Sequence, residues 1–236
     1  MTRSHPLITR LATAALLAVL PFLAAPARAQ SAGGEPDDPI LTIEVWSELD
    51  PLVADGGARP VPREVAIERL LDEASYVLSG MIYGFVFRYV PADPGRRVAE
   101  EFELDPYATV VRGDPRLEVF QTWVEDDRLY ARVFYSVDEA QSGWYRGWRS
   151  AANSSSAGVG VAPFVLGPTV KPQAITDAIR MAIRNHAREL EFNRPQEIAG
   201  AVLLSSAPTV GIRDGNYEAS VTVLLQIDSI TRYHVF

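Results

Sequence analysis

Between Pro172 and Leu190 apolar side chains return every three or four positions, at Ile175, Ile179, Ala182, Ile183, His186 and Leu190. That spacing puts them on one helical face. Arg180, Arg184 and Arg188 fall off the stripe and gather toward the C-terminal end, where the helix dipole favours positive charge. Pro172 suits a first helical position, and Pro195 ends the pattern. Strand-like segments follow at Ile198 to Leu204, Thr209 to Arg213 and Tyr217 to Ile227.

The same order begins at Pro62. Ala66, Ile67, Leu70, Leu71, Ala74 and Leu78 line up with Ala178, Ile179, Ala182, Ile183, His186 and Leu190. Ile82 to Phe87 then resembles Ile198 to Leu203, and Val124 to Val133 resembles Ile212 to Val221. The last pair shares an apolar residue, an Asp-containing tip and alternation afterwards, which is what a hairpin needs. An internal duplication of a helix-plus-strands unit accounts for this; the plainer alternative is that any helix followed by a hairpin aligns as well. Neither unit buries its apolar face alone, so the two belong packed together.

The pattern predicts a two-layer α+β fold, with two main helices on a mixed, mostly antiparallel sheet. Its parts are a first unit over 40–137, a connecting insertion over 138–171 and a second unit over 172–236. Ile40 to Trp46 reads as the first strand, and Asp55-Gly56-Gly57 as loop. Pro91 to Pro115 is a long insertion punctuated by Asp93-Pro94, Asp105-Pro106 and Asp114-Pro115 turns. A short helix is expected at Arg96 to Phe102. The order of elements resembles small helix-plus-strand modules of bacterial envelope and flagellar-accessory proteins. That likeness lies in order alone, so no residue role follows from it.

The chain's beginning sets a compartment. Residues 1–29 read as a secretory signal peptide: Arg3 and Arg10, an apolar run from Leu11 to Leu23, and Ala27-Arg28-Ala29 before Gln30. Pro21 interrupts the run and Pro26 follows it, and the run is short for a membrane span of about 20 residues. A flexible leader is expected over 30–39, rich in Gly, Ser, Pro and Asp. The expectation is a periplasmic or secreted protein with no stable membrane span after cleavage. There is no cysteine, which excludes disulfides and a lipidated N-terminal cysteine. Thirty acids against twenty-two basic residues give a net charge of −8, a surface that repels nucleic acid.

The candidate binding residues are Trp144, Tyr145, Arg146, Trp148 and Arg149. A flat ring beside a planar cation offers contact area and orientation at low entropic cost. The bland reading is that the rings cover one end of the sheet while the arginines reach outward. The Ser/Gly run after Arg149 reads as a mobile linker or lid, and Asn153-Ser154-Ser155 fits a glycosylation sequon discounted for a bacterial-style signal.

Candidate chemistry is sparse. His186 reads as a satisfied core histidine and His234 as part of a last strand, so no metal site or other cofactor is expected. No H-E-x-x-H, G-x-S-x-G, P-loop or acidic calcium loop occurs, and Gly158-x-Gly160 lacks a phosphate-binding context. Asp72-Glu73, Glu100-Glu101 and Asp126-Asp127 are sequence neighbours, and the last reads as a hairpin tip. The expectation is an exported, non-catalytic cell-envelope protein that binds a protein partner or cell-wall material, its oligomeric state left open. The alternatives are a carboxylate-dependent hydrolase of envelope glycans or peptides, and a small outer-membrane barrel suggested by the terminal Phe236.

Overall fold

The structure is a computed structural model that describes residues 39–51, 60–149, 153–190 and 193–233. The expected signal peptide, nearly all of the expected leader, the expected loop at Asp55-Gly56-Gly57 and His234 lie outside the described residues. The elements run β1 (Ile40–Glu48), α1 (Arg63–Ile82), β2 (Phe85–Val90), β3 (Glu101–Pro106), β4 (Leu117–Glu125), β5 (Arg128–Ser136), α2 (Glu139–Trp148) and β6 (Ser154–Pro163). They continue as α3 (Lys171–Leu190), β7 (Glu197–Leu204), β8 (Thr209–Arg213) and β9 (Asn216–Thr231).

The fold is α+β. One sheet has three strands in the order β1-β5-β4; the other has six, ordered β3-β2-β7-β9-β6 with β8 on β9. The ladders between these strands are antiparallel. Among the described residues both sheets keep free edges, and neither closes as the barrel alternative required.

The two units share a pairing scheme. Glu48 and Glu125 both face Arg128, so β5 starts between the end of β1 and the end of β4. Pro163 and Arg213 both face Asn216, so β9 starts between the ends of β6 and β8 in the same way. Each scheme also carries a helix of 20 residues after its first strand. The units part company further along. β9 continues to Thr231 and pairs with β7, whereas β5 stops at Ser136 and β2 pairs instead with β7 and β3.

β6 corrects the reading of the Ser/Gly run: it is a strand, not a linker or lid. Its alternation is inverted. Gly158, Gly160 and Ala162 are buried against α3, while Val159 (53% exposed) and Val161 (49%) face outward. A Cβ on Gly160 would stand 2.0 Å from the Ala178 nitrogen, and one on Gly158 would stand 2.2 Å from the Ala178 oxygen. The two glycines therefore let the helix backbone lie on the strand, with Ala174, Ala178 and Ala182 completing the fit.

Other details differ from the pattern. The turn at Asp93 to Val98 replaces the expected helix at Arg96 to Phe102. The Asp93 carboxylate accepts from the Arg96 backbone (3.2 Å) and guanidinium (2.6 Å), and Arg97 sits at φ 58°. A side chain that bonds nearby backbone this way competes with helix formation. Ile67 and Leu190 are exposed rather than buried, and Val77 and Met81 take core places. His186 is buried, but its Nδ1 has no hydrogen-bond partner among the described residues; the Glu189 Oε2 lies 3.7 Å away. That corrects the expectation of a satisfied histidine.

A polar seam joins the units. Lys171, the first residue of α3, donates from Nζ to the Trp46 carbonyl (2.5 Å) and to Glu73 Oε2 (2.7 Å). The same Nζ lies 3.7 Å from the centre of the Trp46 ring. Trp46 Nε1 donates to the Val210 carbonyl (3.0 Å), and the Tyr217 hydroxyl donates to Glu48 Oε2 (2.8 Å). Burial pushes the Glu73 carboxyl above its ordinary range and the Lys171 ammonium below its own, each opposed by the attraction of the other.

Lys171→Met alone leaves a buried carboxylate without its cation and is expected to cost about 3–5 kcal/mol in urea unfolding. Adding Glu73→Leu should recover most of that loss, because the well-packed apolar pair carries no desolvation penalty. Gly160→Ala is expected to cost about 3 kcal/mol or more by the same measurement, since helix backbone must move. Gly211→Ala, where no atom lies within 4 Å of the new Cβ, should change stability by less than about 0.5 kcal/mol.

Candidate functional site

The candidate site grows from the start of α2. Asp138 is its N-cap: the side chain accepts from the Gln141 backbone (2.8 Å), and the Gln141 side chain accepts from the Asp138 backbone (3.0 Å). This reciprocal capping box satisfies two backbone donors that would otherwise be orphaned. Gln141 Nε2 donates to the Tyr83 hydroxyl (2.6 Å) and the Tyr135 hydroxyl (3.0 Å), and Tyr135 in turn donates to Asp114 Oδ2 (3.1 Å). Arg116 closes the network by pairing with both Asp114 and Asp138. One amide thus fastens α2 to β5 and to the end of α1.

That anchoring fixes Trp144 one turn later. Its Nε1 donates to the Tyr83 carbonyl (3.1 Å), and its ring rests on Tyr107 with centres 4.7 Å apart and planes inclined by 34°. Trp144 is 38% exposed and Tyr107 58% exposed, so the pair presents aromatic surface to water. Beside it lies an open groove of about 580 Å³, a volume in the range of small-ligand sites. The floor is the sheet face where Val86, Ala201 and Gln226 stand side by side on β2, β7 and β9. Gly143 and Gly147 keep the α2 wall open, with no atom within 4 Å of where a side chain would begin. Asn153, Gln226 and Asp228 supply polar groups.

The five residues singled out by the sequence do not form one surface. Trp144 and Trp148 both line the groove, though Trp148 is otherwise buried. Tyr145 packs on the core with the Arg149 guanidinium 4.4 Å from its ring centre. Arg149 also donates to the Ser205 carbonyl (2.7 Å), which ties the end of α2 to the loop after β7. Arg146 is exposed. Tyr83, Tyr107, Val86, Gln226 and Asp228 were missed. They come from three separate stretches; Tyr83, Val86 and Gln226 fell in predicted strand segments and Tyr107 just after the Asp105-Pro106 turn, but no signal joined them into one site.

No group of three or more His, Cys, Asp or Glu residues among those described is arranged to hold a metal ion. No described helix is long and apolar enough to cross a membrane. Among its described lining residues the groove holds no nucleophile beside a base. Its stacked rings, amides and single carboxylate suit reversible binding of a polar ring.

The molecule is therefore an α+β protein of two pairing-equivalent units with an aromatic surface groove. A protein-family model matches residues 30–233, and the chain belongs to that family. An uncharacterized protein of Treponema pallidum (strain Nichols) is similar to it, 24% identical over 198 residues that cover 83% of each chain. No solved structure matches the chain.

The network under α2 is sensitive to acid. Arg116 beside Asp114 holds its carboxyl down at about 2, against an ordinary 3.8. A depressed carboxyl stabilises the fold above its unfolded value, and that contribution is lost as pH falls from 3.8 through about 2. Asp114→Asn is expected to remove on the order of 1–2 kcal/mol at neutral pH and to flatten the acid limb of the stability curve over that window. Far-ultraviolet circular dichroism across an acid titration measures both.

Proposed function

We propose that this protein is exported and acts without catalysis in the cell envelope, where the Trp144–Tyr107 groove holds cell-wall glycan. The observation that carries this reading is the exposed aromatic pair flanking a groove with two amides and one carboxylate. A sugar ring has one apolar face and an equatorial rim of hydroxyls. Stacking on Trp144 would bury the first, and Gln226, Asp228 and Asn153, whose Nδ2 already donates to the Trp148 carbonyl (2.7 Å), line the groove as partners for the second. Export rests on the Arg3-to-Ala29 pattern.

The hydrolase alternative finds less support. Glu48 and Glu73 come near a common cavity, but Tyr217 donates to the first and Lys171 to the second. Acids so engaged serve the seam between the units, and neither is poised for general acid–base work.

Soluble disaccharide–peptide fragments of peptidoglycan should bind the purified protein and change its tryptophan fluorescence. Trp144→Ala and Tyr107→Ala should each weaken that binding about tenfold while leaving the unfolding midpoint nearly unchanged. Unchanged affinity in both variants would remove the groove from the account. N-terminal sequencing of the protein recovered from cells should begin at Gln30; recovery of an intact Met1 terminus would count against export.

A further inference from the structure

At the opposite end of α3 lies a second cavity, of about 410 Å³, walled by Pro91, Pro94 and Pro195. Three arginines line it: Arg184, Arg188 and Arg194. Among the described lining residues one acid is present, Glu100, and both of its oxygens are engaged. Tyr89 donates to Oε1 (2.7 Å), and Arg180 pairs with Oε2. Arg180 pairs with Asp177 as well (2.5 Å). Arg194 donates to the Ala92 carbonyl (2.9 Å), a contact that fixes the side chain without neutralising it.

Arg184 and Arg188 have neither a hydrogen bond nor an ion pair among the described residues. They sit four apart on one helix, where like charges repel. Elsewhere in this acidic chain Arg88, Arg96, Arg116, Arg132 and Arg180 are matched with carboxylates. The helix dipole accounts for arginines near the end of α3. It does not account for three of them converging on a proline-walled cavity where, among the described residues, Glu100 is the one carboxylate.

We propose that this cavity binds a small soluble oxyanion, a phosphate or carboxylate group carried on a compact organic body. The guanidinium fork matches both groups in bidentate geometry, and the anion would relieve the repulsion between Arg184 and Arg188. The site shares no residue with the aromatic groove, so it stands whatever the groove binds.

Calorimetric titration of the purified protein with glycerol 3-phosphate, inorganic phosphate and citrate tests this, with vesicles of phosphatidylcholine with and without phosphatidylglycerol as a separate arm. At least one soluble anion should bind saturably, and more weakly as salt rises. Arg184→Gln with Arg188→Gln should lower that affinity by about tenfold or more, and Arg213→Gln, on the exposed hairpin tip, should not. Arg188→Gln alone, at an exposed position, provides the same comparison if the double variant is unstable. Three results would overturn the proposal: no saturable binding of any soluble anion, equal binding by the arginine variants, or binding to the phosphatidylglycerol vesicles alone.

Discussion

One buried ammonium holds the two units in register. Lys171 Nζ has three neighbours, the Trp46 carbonyl, the Glu73 carboxylate and the Trp46 ring, contributed by β1 and α1 while the lysine itself opens α3. An apolar seam of similar size would tolerate sliding, because dispersion and hydrophobic burial are nearly indifferent to small shifts. A charged atom with a carbonyl on one side and a carboxylate on another tolerates few placements, since each lost partner exposes the full cost of desolvation. The pair adds little net stability against a well-packed apolar substitute. What it contributes is direction: it determines where α3 begins relative to β1, and so how the second unit lies against the first.

From that fixed point the rest of α3 is positioned by size rather than charge. Gly158 and Gly160 bring the helix backbone onto β6, and the apolar stripe from Ile175 to Ile183 fills the space that remains. The stripe was plain in the sequence because period 3.6 survives in a helix buried on one face. β6 was not, because its buried positions are glycine and its exposed ones valine. Alternation read in the ordinary sense puts Val159 and Val161 inside, and a run of Ser and Gly before them looks like linker. Contact with a helix backbone inverts the usual code, and only the partner's identity reveals it.

The seam had a visible half. Glu73 falls among Leu70, Ala74 and Val77 on the buried face of α1, an acid where the period demands an apolar residue. Such a residue needs a partner. Nothing in the chain says that the partner is Lys171, 98 positions away, since the register between units is set by the fold. The groove was legible to a similar degree. Trp144 stood out by composition, but Tyr107 and Gln226 reach it from a loop and from the far half of β9, and Tyr145 turned inward for want of any signal separating one helix face from another over ten residues.

The groove also occupies the place where the two units stop matching. In the second unit β9 runs on past β6 to pair with β7; in the first, β5 ends at Ser136 and the chain turns into α2. α2 follows the end of β5, and it lies over the sheet face that the longer β9 helps to extend. Both sides of the groove are therefore products of asymmetry: α2 from the shorter strand, Gln226 and Asp228 from the longer one. A pair of units that matched throughout would have neither wall nor floor there. Binding surface on this fold arises from the difference between its halves, while the likeness between them supplies the rigid frame on which that surface is held.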